Sequence, residues 1–355
     1  MATVSLADFS AVLNLTFAEP SADLVQRQVV LPNLLPVVPS SDAVATWGVK
    51  SAARTAGGAY AEGADMADGD YDAHASLQAS LAWAQYRKGA KVSGLAESIS
   101  RLNSSRAVGG SKLDGEVRDA VDALAVDVSA DGYGGNVSAS PVELAGLASA
   151  VASSGAYAGI DPATYTDWKS VANSLASASL SFANLRTYLF TPFYDSCGMS
   201  PVFCTCDSAT FDKIGALFGD QRRYLDTIQT VDGRTFDLKL RGGFRALEVD
   251  GVPFVRDRHA TANTIYAFGP ECAQYRQVPA YVPSDYAQVV AAVKALTGVT
   301  VADADIIAAL TAMTQRLQPT VQVVAPTGDA FKAMVKIYAQ IVVRYRNRMG
   351  KLLLT

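Results

Sequence analysis

The sequence predicts an α+β chain with elongated elements, and three stretches carry that prediction. Residues 46–98 read as two strand-like arms joined by a tip rich in Gly and Asp. Residues 111–131 hold one apolar stripe at helical spacing, and residues 331–345 alternate apolar and polar side chains from end to end. Long outlying elements at both ends of a chain suggest a flat, extended subunit more than a compact enzyme.

The totals set the frame. At 355 residues the chain has room for two ordinary domains or one core with extensions. Half the residues are apolar, 18% are charged and the net charge is -4, which describes a folded chain and argues against a dedicated nucleic-acid binder. No apolar run approaches the roughly 18 to 20 residues that a membrane helix needs. Met1 to Phe17 lacks a basic start and is interrupted by Asp8, so no signal peptide is expected and maturation is expected in a cytoplasm. The sequons at Asn14, Asn103 and Asn136 are then chance matches.

In chain order, residues 1–43 form an extended arm, where Pro32, Pro36 and Pro39 argue against a regular helix or central strand. In the ribbon that follows, Leu77, Ala79, Leu81 and Trp83 share one face, and Trp47 to Arg54 forms the partner arm. Its tip contains Gly57, Gly58, Gly63 and Gly69 with Glu62, Asp65, Asp68, Asp70 and Asp72, which supply turns and solvation but no core. A two-stranded ribbon is marginal in water, so it is expected to lie on another surface, that of a neighbouring copy. Val92 to Leu102 is a short helical candidate, and 103–110 a link. Leu113, Val117, Val121, Leu124 and Val128 define the clearest helix, opened by Ser111 with Asp114 and expected to stop at Gly132.

A glycine turn then leads through Pro141 into a short helix, followed by the aromatic loop YAGIDPATYTDWKS and a helix near Ser181 to Phe190 that Pro192 should end. Pro201 to Cys206 reads as a strand and Asp207 as the cap of a helix containing Phe211, Ile214, Leu217 and Phe218. A strand-rich tract runs from Phe236 to Arg276, with turn signals at Gly242-Gly243 and at Asp250-Gly251, the latter predicting a tight hairpin. Residues 283–325 read as an insertion with helical spacing at 286–296 and 302–317, between the hairpin tract and the long strand.

Chemistry is sparse. Cys197, Cys204 and Cys206 cluster, with Cys272 apart, but His74 and His259 are distant, so neither the count nor the spacing makes a metal site. Asp68, Asp70 and Asp72 begin like a calcium loop but lack its glycine and closing Glu. His259 stands beside Asp257 without a nucleophile, phosphate loop or carboxylate pair. No catalytic residue, cofactor or metal is assigned, although a cysteine-centred thiol enzyme stays open as an alternative that fast alkylation of Cys204 or Cys206 would reveal.

The order of these elements resembles the major capsid protein of tailed bacteriophages, the Hong Kong 97-type capsid fold shared with encapsulins and herpesvirus floor domains. The resemblance rests on the Pro-broken arm (Val29 to Asp42), the long hairpin (Trp47 to Val92), the helix closed by DGYGGN, the segments GLASAV and YAGIDPATYTDWKS, the strand and helix of SPVFCTCDSATFDKIGALFGDQRRYL, the hairpin FRALEVDGVPFVRD and the final YAQIVVRYRNRMGKLLL. It implies an N-terminal arm (1–43), an extended β-hairpin loop (44–93), a peripheral domain with a long spine helix (94–140), an axial domain including the 283–325 insertion (141–326), and a terminal strand returning to the peripheral domain (327–355).

The function so implied is a structural, non-enzymatic subunit that self-assembles into hexamers and pentamers of an icosahedral shell around double-stranded DNA. Its place would be the virion capsid, assembled in the host bacterial cytoplasm. An encapsulin-like cellular compartment is the alternative within the same fold. Expected partners are further copies of the chain, a portal, a separate scaffolding protein, since only some forty residues precede Trp47, and a cement or decoration protein. No lysine lies between Ser51 and Arg87, so closure without an isopeptide cross-link is expected. Trp47, Arg54, Gly57, Gly58, Glu62, Asp68, Asp70, Asp72 and Trp83 would make inter-subunit contacts in the extended loop. Arg344, Arg346, Arg348 and Lys351 would either face packaged DNA, bound through its phosphates, or pair with carboxylates such as Asp119 or Asp122.

Overall fold

The computed structural model describes residues 29–51, 75–103, 112–139, 142–176, 178–218, 246–278, 319–324 and 329–354, with short pieces at 59, 62, 65, 224–225, 227–229 and 235–237. The Gly242-Gly243 turn, Pro141 and the two helical candidates at 286–296 and 302–317 lie outside the described residues.

The described chain begins with one helical turn, α1 (Leu31–Leu34), and this corrects the reading of the arm as free of helix. Pro32 occupies the first turn, where a missing N–H removes no intrahelical bond. β1 (Val37–Pro39) runs parallel to Ala273–Gln277, Pro39 sitting at a sheet edge as its missing donor requires. β2 (Ala45–Ser51) and β3 (Ala75–Leu81) form the ribbon, with Ala45 opposite Leu81 and Ser51 opposite Ala75. The hairpin read as 44–93 ends earlier than expected. After Leu81 the chain bends, and β4 (Ala84–Ser93) joins a different sheet along ten residues of the long strand.

α2 (Gly94–Asn103) leads to α3 (Lys112–Gly134), a helix of 23 residues and thus ~34 Å long. Leu124 and Val128 of the predicted stripe are buried, Val117 and Val121 pack partly against the core, and Ala120 and Tyr133 extend it. Gly132 does not end this helix. A Cβ there would sit 2.9 Å from Leu31 Cδ2 and 3.0 Å from Tyr275 Oη, so the glycine is where α1 and the sheet approach the helix backbone.

α4 (Leu147–Ala150) and β5 (Val171–Ser174) precede a continuous helical run of α5 (Phe182–Leu185), a π-helical turn at Arg186–Phe190 and α6 (Thr191–Cys197). Pro192 was expected to stop this run. The widened turn before it instead relieves the clash between a proline ring and the carbonyl four residues back, and Gly198, at φ 68°, ends the helix. β6 (Phe203–Cys206) is followed by α7 (Ser208–Leu217), whose Asp207 cap accepts from the N–H groups of Ala209 and Thr210 at 3.1 and 3.4 Å. β7 (Tyr224–Leu225), β8 (Thr227–Gln229) and β9 (Thr235–Asp237) are short. β10 (Ala246–Val249) and β11 (Val252–Arg256) make the predicted hairpin, with Asp250 at φ 52° and Gly251 at φ 80°. β12 (Thr264–Phe268), β13 (Ala273–Gln277), β14 (Thr320–Val324), β15 (Ala330–Val343) and β16 (Met349–Leu353) complete the strands.

Two sheets organise the body. In the first, β15 is the axis: β4 pairs along one edge, and β13 and β14 lie end to end along the other, with β1 outside β13. At ~3.3 Å per residue the 14 residues of β15 span about 46 Å. Its odd-numbered residues from Ala333 to Val343 are buried as their alternation predicts, and beyond Ala339 the even-numbered face is buried as well. The second sheet has seven strands in the order β5-β16-β12-β6-β11-β10-β7. Cys204, Cys206, Phe254 and Ile265 on one of its faces form a core with the 182–197 run and α7, whereas Phe203, Tyr266 and Phe268 on the other face join the large core around α3.

This topology differs from the sequence division in three places. Met349–Leu353 pairs with β12 in the seven-stranded sheet and so leaves the strand it follows in sequence. Ala273–Gln277, placed with the axial segment, pairs with β15. Thr320–Val324, counted within the 283–325 insertion, is an antiparallel partner of β15.

Candidate assembly surface

At the base of the ribbon, period-two alternation puts Trp47, Val49, Ala79 and Leu81 on one buried face and Gly48, Lys50, Ser76 and Gln78 on the exposed one. The cover comes from the chain's own loop, which corrects the expectation that a neighbour is needed there. The Trp47 and Tyr157 ring centroids are 6.4 Å apart, and Ser80 N donates to Ala158 O at 3.1 Å. Arg276 lies over the Trp47 ring at 5.9 Å and donates to Thr46 O. Trp83 is half-buried, its Nε1 donating to Asp42 O at 3.0 Å. Trp47 and Trp83 are therefore already engaged within the protomer. Glu62 is an exposed turn residue; Arg54, Gly57, Gly58, Asp68, Asp70 and Asp72 lie outside the described residues.

The C-terminal basic tract divides. Arg346 is fully buried. Its Nε donates to Ala150 O at 2.7 Å, its Nη1 to Gly155 O and Trp168 O at 3.3 Å, and its guanidinium lies 5.4 Å from the Tyr157 ring centroid. Its burial leaves it facing neither DNA nor the carboxylates offered as the alternative, since its hydrogen-bond partners are carbonyls. Burial lowers its pKa, with the carbonyls taking the place of water around the fork. Tyr157 accepts from Val343 N at 3.2 Å and donates to Ile341 O at 3.3 Å, so the aromatic loop ties ribbon, long strand and C-terminal tract together. Arg348 donates to Pro270 O at 3.2 Å over the Tyr345 ring, and Lys351 Nζ donates to Ala148 O at 3.1 Å; only Arg344 of the four is exposed.

The thiols are inert in character. Cys204, Cys206 and Cys272 are buried, and burial raises all three, Cys272 to about 12, which keeps them protonated and non-nucleophilic. That counts against the thiol-enzyme alternative. Asp257 is also buried. Its carboxylate accepts from Tyr133 Oη and from His259 N, each at 2.9 Å, and desolvation raises its pKa. The pair joins α3 to the seven-stranded sheet.

No family model and no curated sequence matches the chain. Solved structures do. The capsid asymmetric unit of cyanophage A-1(L) superposes with a TM-score of 0.66 at 18% identity, covering 95% of each chain. The capsid of a native GTA particle gives 0.54 at 12% identity, again over 95% of each chain. The holo-SrpI encapsulin of Synechococcus elongatus PCC 7942 gives 0.54 at 11%, over 96% of this chain and 94% of that one. The chain has the Hong Kong 97-type fold.

Within this Hong Kong 97-type fold, α3 packs on one face of the β4-β15 pair. Lys88 reaches Asp127 at 2.6 Å and Tyr86 Oη donates to Asp131 at 2.8 Å, both on the helix side. The opposite face has no helix of the described residues on it and carries Arg87, Lys91, Lys332 and Lys336 around Met334 and Tyr338. The alternation along residues 331–345 puts Lys332 and Lys336 on one face of β15, and only the register with β4 brings Lys91 and Arg87 opposite them.

Proposed function

We propose that this chain is a structural capsid subunit of the tailed-phage type, assembling into hexamers and pentamers of an icosahedral shell that encloses double-stranded DNA. One observation carries the reading: the superposition on the cyanophage capsid subunit extends over 95% of both chains. A shell of identical units needs rigid bodies with outlying contact elements, and the ribbon anchored through Trp47, Tyr157 and Arg276 is such an element. Its partners on this reading are other copies of itself, a portal, a separate scaffolding protein and a cement or decoration protein, with the assembled virion as its location. The DNA contact is non-specific and falls to exposed cations such as Arg344, not to the buried Arg346.

An encapsulin-like compartment is the second reading, supported by the lower score of 0.54 to the encapsulin. Electron microscopy of shells purified after expression in their natural context separates the two. The capsid reading expects closed icosahedral particles holding nuclease-protected DNA, whereas particles filled with a cargo enzyme and free of DNA would replace it.

A further inference from the structure

We propose that the free edge of β14 adds to the same edge of a second copy of this chain, the two strands running antiparallel about a two-fold axis with Gln322 opposite Gln322. The sheet built on β15 has three outer edges among the described residues, those of β1, β4 and β14. An unpaired edge is a template for another strand, and proteins blunt it with brevity, proline or charge. β1 is three residues long and ends on Pro39. β4 carries Arg87, Lys88 and Lys91. β14 has no such device: its five residues are TVQVV, with neither charge nor proline, and beyond β15 it has no strand partner among the described residues. Val321 stands opposite Val335 and Val324 opposite Lys332, on opposite faces of the sheet, yet they are 47% and 36% exposed, so the opening belongs to the edge and not to one face. In the seven-stranded sheet the uncharged edge strand β5 is treated differently, since the 182–197 run lies on it and Asn173 Nδ2 donates to Tyr188 O at 2.7 Å.

The occupant follows from charge. Residues 318–328 contain no charged side chain, so a second β14 meets the first with no like charges opposed. The antiparallel register sets Thr320 opposite Val324, both β-branched, and Gln322 opposite its own copy, where each amide can donate and accept. Pro319 and Pro326 bracket the strand and confine the pairing to it. Such a contact is isologous, the same patch serving both chains. Five residues a side fall well short of the roughly 1,200 Å² of a stable interface, so the edge adds to other contacts between copies. The inference goes beyond the shell reading, because a dyad between two chains needs no shell.

Disulfide cross-linking of the full chain tests it, in a Cys197→Ser background that removes the one thiol that is not buried. Opposed residues of an antiparallel pair lie within disulfide reach, so Gln322→Cys is expected to give about ten-fold more linked dimer than Thr320→Cys alone. Thr320→Cys copies mixed with Val324→Cys copies should link to each other. Adding Val321→Lys to Gln322→Cys places a charge on the edge and is expected to lower the dimer about ten-fold, with a protomer that melts like its parent. Should that variant fail to fold, Val324→Lys gives the same reading. Gln322→Cys that stays fully open to alkylation in the associated chain overturns the proposal, as does a Val321→Lys chain that links like its parent. Thr320→Cys that dimerises as readily as Gln322→Cys also overturns it, since that is the mark of parallel pairing. Wild type that stays monomeric at every concentration sinks the shell reading alone, and the Gln322→Cys dimer at the highest concentration still decides the pairing.

Discussion

Arg346 shows how one side chain can join distant parts of a chain. Its guanidinium meets carbonyls from residues 150, 155 and 168 and the face of Tyr157, so Arg346→Ala leaves those carbonyls without donors. The expected loss is about 3 kcal/mol in urea unfolding of the protomer, and Arg346→Lys recovers only part of it because an ammonium cannot form the fork. Asp257 gives a signed pH dependence. Its native pKa is raised, so its contribution is complete below the ordinary carboxylate range and is lost as pH rises through the native value. Wild-type stability minus that of Asp257→Asn should therefore fall with rising pH, by about 1.4 kcal/mol per unit separating the native and unfolded pKa. Stability that rises over this window relative to the variant would contradict the assignment. Among the thiols, iodoacetamide should label Cys197 first, while Cys204, Cys206 and Cys272 react only after denaturation. The tract RYRNRMGK reads as uniformly surface-basic in sequence because the carbonyls that bury Arg346 come from nearly two hundred residues earlier, and a carbonyl leaves no mark on residue type.

At the level of elements, two glycines in α3 separate packing from propensity. Nothing lies within 4 Å of a Cβ placed on Gly115, so Gly115→Ala should stabilise by about 1 kcal/mol through helix propensity alone. At Gly132 the same change meets Leu31 and Tyr275, and a net destabilisation of roughly 1 to 3 kcal/mol is expected. Chemical denaturation of both variants checks the pair, and equal effects would contradict the close approach. The elements that sequence conveyed well are those whose period persists: β15, the ribbon base, the stripe of α3 and the Asp250-Gly251 hairpin. Where it erred, the cause was a backbone device or a long-range crossing. Pro32 sits where a helix tolerates it, Pro192 follows a π-turn, and β16 returns to the seven-stranded sheet through tertiary pairing that local pattern does not express. The ribbon's apolar face was legible, but the identity of its cover was not, since Tyr157 and Arg276 are far from it in sequence.

Across the whole molecule, the described body satisfies its own core: two sheets share α3, and even the ribbon base is sealed by the protomer. Among the described residues, what is left for partners is mixed: the cations Arg87 and Arg344 are exposed, and so are apolar side chains such as Leu95, Tyr194, Val321 and Phe331. Assembly through the charged part should weaken with salt, because exposed charges are screened beyond about 8 Å at physiological ionic strength. Shell yield in rising sodium chloride should accordingly decline, and a yield that is indifferent to salt would point to apolar closure instead. The central claim is that copies of this chain build a closed container, and sedimentation velocity of the purified full chain tests it most directly. The account predicts a fast-sedimenting particle of many copies whose electron micrographs show closed shells; a single slow species of 37.3 kDa under conditions that favour assembly would contradict it.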